Sequence, residues 1–131
     1  MNPCVLYVSR TGNTKAMAQA IADAIKAPIF DITSSEPSIV ENYDMIILGT
    51  PVLGSRPAKE ALAFVESLPK TEGKKAILFC TFKLWRGKTF KVLAEVLSSK
   101  GYNNILDVSK RGVKPGKTDF SDVLTEIKKV L

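Results

Sequence analysis

Ser9-Arg10-Thr11-Gly12-Asn13-Thr14 follows directly on the apolar run Cys4-Val5-Leu6-Tyr7-Val8 and leads into a stretch with helical spacing. A short, unbroken apolar run is what a strand buried on both faces requires. From Thr14 to Lys26, the residues Ala18, Ile21, Ala22 and Ile25 recur along one helix face, and Pro28 stops the pattern. The six residues therefore make a strand-to-helix turn. They supply three hydroxyls, an amide and a glycine. Unpaired N–H groups and the positive dipole end of a helix N-terminus favour an anion there, and Gly12 lets the backbone come close to it. The turn has neither the Gly-x-x-x-x-Gly-Lys-Ser/Thr pattern of triphosphate-binding loops nor the Gly-x-Gly-x-x-Gly of dinucleotide folds. On its residues alone it is either an anion site or a Ser/Thr-rich helix cap.

Working outward, apolar runs and amphipathic stretches alternate. Ile29-Phe30-Asp31-Ile32 reads as a second strand after Pro28. Residues 33–43 are polar, contain Pro37 and read as a loop with room for one helical turn. Met45-Ile46-Ile47-Leu48 is a third strand, again apolar throughout. Pro57 suits the first turn of a helix whose face is Ala61, Phe64, Val65 and Leu68. Ala76-Ile77-Leu78-Phe79-Cys80 is the fourth strand. Phe90, Leu93, Ala94 and Leu97 mark a helix that ends near Gly101. Ile105-Leu106-Asp107-Val108 is a weaker fifth strand, and Phe120, Val123, Leu124, Ile127 and Leu131 form a last helix with Thr118 as its expected cap. Alternating strands and helices imply parallel pairing through right-handed crossovers. The expected fold is α/β, a doubly wound three-layer sandwich on a five-stranded parallel sheet, with orders 2-1-3-4-5 and 3-2-1-4-5 both open. In either order ligands bind at the carboxyl ends of the strands, which here are the loops after Val8, Gly49 and Cys80.

Composition limits the chemistry. The 131 residues fit one domain, 1–131, with 45% apolar and 24% charged residues. Histidine is absent, which excludes His-based acid–base catalysis and Ser-His or Cys-His nucleophile pairs. The two cysteines, Cys4 and Cys80, sit inside apolar runs and read as reduced core thiols, too few for a structural zinc. Demanding chemistry must then come from a bound cofactor. No apolar run approaches the ~20 residues that span a bilayer, and Met1-Asn2-Pro3 lacks a charged leader, so a cytoplasmic location is expected. The net charge of +6 is lopsided. Residues 1–65 carry five Lys/Arg against six Asp/Glu, and residues 66–131 carry fourteen against seven. Lysines 70, 74, 75, 110, 114, 117, 128 and 129 read as solvated. No interleaved aromatics suggest a base-stacking platform, so nucleic acid is not expected as a partner.

Ser-x-Thr-Gly-Asn-Thr after a first strand resembles the phosphate-binding signature of flavodoxins, and every signature position matches. Tyr43-Asp44-Met45-Ile46-Ile47-Leu48-Gly49-Thr50-Pro51-Val52 resembles the family's third strand and following loop, and Gly54-Ser55-Arg56-Pro57-Ala58 continues the likeness. Phe79-Cys80-Thr81 with Gly87 is similar to its second flavin loop, and Arg111-Gly112 through Asp119 to the approach to the last helix. The resemblance implies the 2-1-3-4-5 order and flavin mononucleotide (FMN) as cofactor. It implies that Ser9, Arg10, Thr11, Gly12, Asn13 and Thr14 hold the phosphate. Thr50, Pro51, Val52, Leu53 and Gly54 would line one edge of the ring, and Thr81, Phe82, Trp85 and Gly87 the other, with no catalytic acid or base and no metal. Val52 and Leu53 stand where the family often has an aromatic residue, which leaves Trp85, then Phe82, to stack on the ring. Arg56 is a further candidate for reaching the flavin. A second departure is charge. Lys83, Arg86 and Lys88 occupy a loop that is acidic in carrier flavodoxins. The implied function is electron transfer between redox partners, with an acidic redox protein as the expected partner, no membrane association, and a monomer or weak homodimer. An NAD(P)H-dependent FMN or quinone reductase, and an interaction module without redox activity, are the alternatives.

Overall fold

The computed structural model describes residues 1–112 and 117–131. The expected approach segment 113–116, with Lys114, lies outside the described residues. Five parallel strands form the body of the sheet: β1 (Pro3–Tyr7), β2 (Ile29–Asp31), β3 (Met45–Leu53), β5 (Lys75–Phe82) and β6 (Asn103–Arg111). They lie in the order β2-β1-β3-β5-β6, and the short β4 (Arg56–Pro57) pairs antiparallel with the end of β3. Without β4 this is the order 2-1-3-4-5, which settles the choice left open above.

Side chains alternate across the central strands, as the two-residue period requires. Leu6, Ile46, Leu48 and Leu78 face one core, with Ala61 and Val65 of α2 (Lys59–Glu66) and Leu93 and Leu97 of α3 (Thr89–Ser99). Val5, Ile47, Ile77 and Phe79 face the other, with Met17 and Ile21 of α1 (Asn13–Ile25) and Val123 and Ile127 of α4 (Ser121–Lys129). Each Leu or Ile so buried contributes about 1.5–3 kcal/mol. Cys4 and Cys80 are buried in these layers as free thiols, as expected, and burial pushes both up to about 12. No helix among the described residues is long and apolar enough to cross a membrane.

Several boundaries differ from the sequence reading. Ile32 opens a 3-10 turn (Ile32–Ser34) instead of ending β2, because Asp31 Oδ1 accepts the Thr33 N–H at 2.9 Å and turns the chain. A second 3-10 segment covers Pro37–Asn42. Pro57 belongs to β4 and is not in a helix; α2 starts at Lys59. The strand continues past Gly49 because residues 50–53 pair first with β5 and then back on β4. Strand β6 begins at Asn103, and its register with β5 shifts by one residue between Ala76 and Ile77, a bulge at Ile105 that weakens the alternating pattern. Thr118 does not cap α4; Asp119 Oδ1 accepts the Ser121 N–H at 2.9 Å. Lys74 is not simply solvated: its Nζ donates to the Val40 carbonyl at 2.9 Å. Lys110 is half-buried and paired with Asp122 at 3.0 Å.

Candidate functional site

At the carboxyl edge of the sheet, the turn after β1 reaches α1 through Gly12, whose φ of 96° places it in the left-handed region. The Ser9 hydroxyl oxygen accepts the N–H groups of Gly12 at 3.1 Å and Lys15 at 3.3 Å. Among the described residues its own proton has no acceptor. The Asn13 amide nitrogen donates to the Thr11 hydroxyl at 3.4 Å. Thr14 is buried, and its hydroxyl lies 2.7 Å from that of Thr81 on β5. Among the described residues, the backbone N–H groups of Thr11, Asn13 and Thr14 have no protein acceptor. Unfilled donors gathered at a helix start are the requirement of an anion cradle. Arg10 lines the cleft beside this turn. Its guanidinium grips Glu60 of α2 with two contacts, at 2.7 and 2.6 Å. That hydrogen bond, then the backbone N–H at the helix start, pulls the Glu60 carboxyl down from 4.5 to about 2.

Beside the cradle a cleft of about 480 Å³ opens, within the range of small-ligand sites. Thr11 and Asn13 form its polar end. Pro51, Val52, Leu53 and Gly54 make one wall, and Thr81, Phe82 and Trp85 the other. The first wall is a two-residue hairpin. Gly54 and Ser55 both have positive φ, 57° and 68°, between the paired residues Leu53 and Arg56. The second loop braces it from behind. The Lys88 N–H donates to the Ser55 carbonyl at 2.7 Å, and Gly87, at φ 56°, packs so close that a Cβ there would lie 2.4 Å from that of Ser55.

Not every expected residue reaches the cleft. Thr50 does not line it. The residue is fully buried, and its hydroxyl accepts the Ala58 N–H at 3.0 Å and donates to the Pro51 carbonyl at 2.9 Å, so it holds the wall's shape from within. Gly87 likewise acts behind the wall. Arg56 is exposed on β4 and does not line the cleft. Trp85 does line it, in the loop between β5 and α3, and 65% of its surface is open. Sequence reasoning missed Ser55 and Leu84 as lining residues and Glu60 as the partner of Arg10. It quoted Gly112 without placing it at the cleft, where the Gly112 N–H donates to the Phe82 carbonyl at 3.0 Å. Glu60 stands fifty residues from Arg10, and no local pattern could have paired them.

The family model described as the flavodoxin domain matches residues 4–108. The chain belongs to the flavodoxin family. It is 31% identical over 119 residues to a flavodoxin of Megasphaera elsdenii, covering 79% of this chain and 87% of that one. It is 35% identical over 105 residues to an uncharacterised protein of Methanocaldococcus jannaschii, covering 78% and 69%. Among solved structures, oxidised flavodoxin 1 of Bacillus cereus superposes with a TM-score of 0.81 at 28% identity, covering 100% and 99% of the two chains. The cofactor of the family is FMN, and the site fits it. Amides without an acceptor among the described residues stand at the helix start, a cleft of ligand size lies beside them, and its walls are mainly apolar.

Proposed function

We propose that this chain holds FMN between the loops 9–14, 51–54 and 81–85 and carries electrons between redox protein partners. The observation that supports it most is the set of N–H groups at Thr11, Asn13 and Thr14 that have no acceptor among the described residues, beside an apolar-walled cleft lined at one end by Thr11 and Asn13. These amides and the Ser9 hydroxyl take the phosphate. Pro51, Val52 and Leu53 flank the ring on one side, and Phe82 and Trp85 on the other, excluding water from its faces. When bound, the flavin supplies one- and two-electron chemistry; the chain supplies binding, orientation and electrostatics. The partner is a redox protein with an acidic face. A cytoplasmic location accords with the two free thiols.

The exposed cations Lys83, Arg86 and Lys88 set the electrostatics of the ring's edge. Reduction adds negative charge to the ring, and nearby cations favour it. In a water-like dielectric each close charge contributes about 1 kcal/mol, or about 40 mV for a one-electron step. Potentiometric titration of the FMN-loaded protein and of the triple variant K83Q/R86Q/K88Q tests this. The variant should have the more negative potential. Equal potentials would remove the cations from the account. Steady NAD(P)H consumption with a quinone acceptor would replace the carrier with a reductase.

A further inference from the structure

Leu53, Leu84 and Trp85 are exposed by 43%, 85% and 65%, and all three stand at the mouth of the cleft. Among the described residues the other exposed large apolar side chains are Met1 and Leu131, at the chain ends. Apolar surface gathered in one place marks contact with another molecule. Around it the exposed charges are mostly positive. The stretches 50–59, 81–91 and 108–112 contain no Asp or Glu; of the acids that adjoin them, Glu60 is held by Arg10 and Asp107 accepts from the Asn104 amide at 2.8 Å. Arg56, Lys59, Lys83, Arg86, Lys88 and Arg111 are exposed there.

The platform is also held in shape. The Arg86 guanidinium donates to the Ser109 hydroxyl at 3.3 Å and lies 5.8 Å from the centre of the Phe90 ring. The Lys88 N–H is fixed to the Ser55 carbonyl. Leu84 and Trp85 are therefore carried outward by a loop tied down at its far end, and little ordering remains to be done on binding. An apolar centre of three side chains with a charged rim has the anatomy of a protein interface.

We propose that this face docks an acidic protein surface, with Leu84 and Trp85 at the centre and the Lys/Arg rim steering the approach. That the docked partner exchanges electrons rests on the flavin reading; the docking itself does not. The three apolar side chains stand on a hairpin and a loop around a cleft mouth and not along one amphipathic helix, so an acidic protein face is the occupant that fits, ahead of a lipid surface.

The test uses 15N-labelled protein, with and without FMN, and a purified acidic [2Fe–2S] ferredoxin as the probe. A basic cytochrome c and phosphatidylglycerol-containing vesicles are the comparisons. Amide shifts should cluster at residues 53 and 83–88. Affinity for the ferredoxin should fall at least about tenfold between about 0.02 and about 0.2 M salt. R56E/K88E should lose at least about tenfold, and L84A/W85A should lose affinity with little change in salt dependence. No ferredoxin binding, binding mapped elsewhere, salt-insensitive binding or a preference for cytochrome c overturns the proposal, and so does tighter binding to the vesicles. Flavin binding without docking sinks the docking face alone. Docking without flavin binding supports the face and sinks the carrier reading.

Discussion

Thr81→Val removes one partner of the buried hydroxyl pair that joins the phosphate loop to β5. Thr14 and Thr81 are 1% and 5% exposed, and their oxygens are 2.7 Å apart. Valine keeps the shape of threonine but leaves the Thr14 hydroxyl buried without its partner. An orphaned buried polar group costs about 1–3 kcal/mol. For a chain of this length that lowers Tm by roughly 3–12 °C. Replacing both hydroxyls, T14V/T81V, removes the orphan together with the bond and should cost less than the two single changes summed. The double-mutant cycle should return a coupling of about 1 kcal/mol. Thr81→Ser keeps the bond and should recover most of the loss. The assay is denaturant unfolding of the protein without flavin, followed by titration with FMN and with riboflavin. Because Thr14 sits in the cradle, Thr81→Val should weaken FMN more than riboflavin. Strict additivity of the two substitutions, or an equal loss for both ligands, would refute the view that this pair links the phosphate end to the ring loops.

Gly87→Ala would place a methyl 2.4–2.6 Å from the Ser55 Cβ, Cα and carbonyl oxygen at a residue with φ 56°. The left-handed conformation alone costs about 1–2 kcal/mol, so unfolding should show at least that loss, with FMN affinity falling as the Gly54-Ser55 turn moves; a neutral variant contradicts the brace. The Glu60 carboxyl, pulled down by Arg10, should titrate near 2 by NMR against its ordinary 4.5. The sign follows from the lowered value: the pair's contribution is complete above about 4.5 and is lost as pH falls through about 2, and Arg10→Ala should return the midpoint toward 4.5. Cys4 and Cys80, buried and held protonated to about 12, should resist a thiol-specific disulfide reagent at pH ~8 until the protein unfolds, because the thiolate is the reacting form; fast reaction of the folded protein would place either thiol elsewhere.

The sheet was legible because its central strands are buried on both faces. Val5-Leu6, Ile46-Ile47-Leu48 and Ile77-Leu78-Phe79 are continuous apolar runs, and continuous runs separated by amphipathic stretches admit little but a covered parallel sheet. The turn after β1 was legible because it is local, six consecutive residues between one strand and one helix. Tertiary contacts were not. Pro57 fits a helix start by its own preference, yet Leu53–Arg56 pairing draws it into a hairpin. Thr50 carries a hydroxyl in the right stretch, but its oxygen is spent on the Ala58 N–H. Thr118 is an acceptable cap by type, but α4 starts after Phe120, and it is Asp119 whose carboxylate accepts the Ser121 N–H. Leu84 is unremarkable in sequence and becomes notable only because 85% of it is left uncovered at the cleft mouth.

The central claim is that the turn after β1 is a phosphate cradle serving a flavin cleft. Titrating the protein with FMN and, separately, with riboflavin while following visible absorbance and flavin fluorescence tests it most directly. The account predicts one FMN per chain at micromolar affinity or better, with the yellow spectrum shifted on binding, quenching of the single Trp85, and riboflavin at least about tenfold weaker, the loss of about 1.4 kcal/mol of phosphate contacts. No FMN binding at micromolar concentration, or equal affinity for the two flavins, would contradict it.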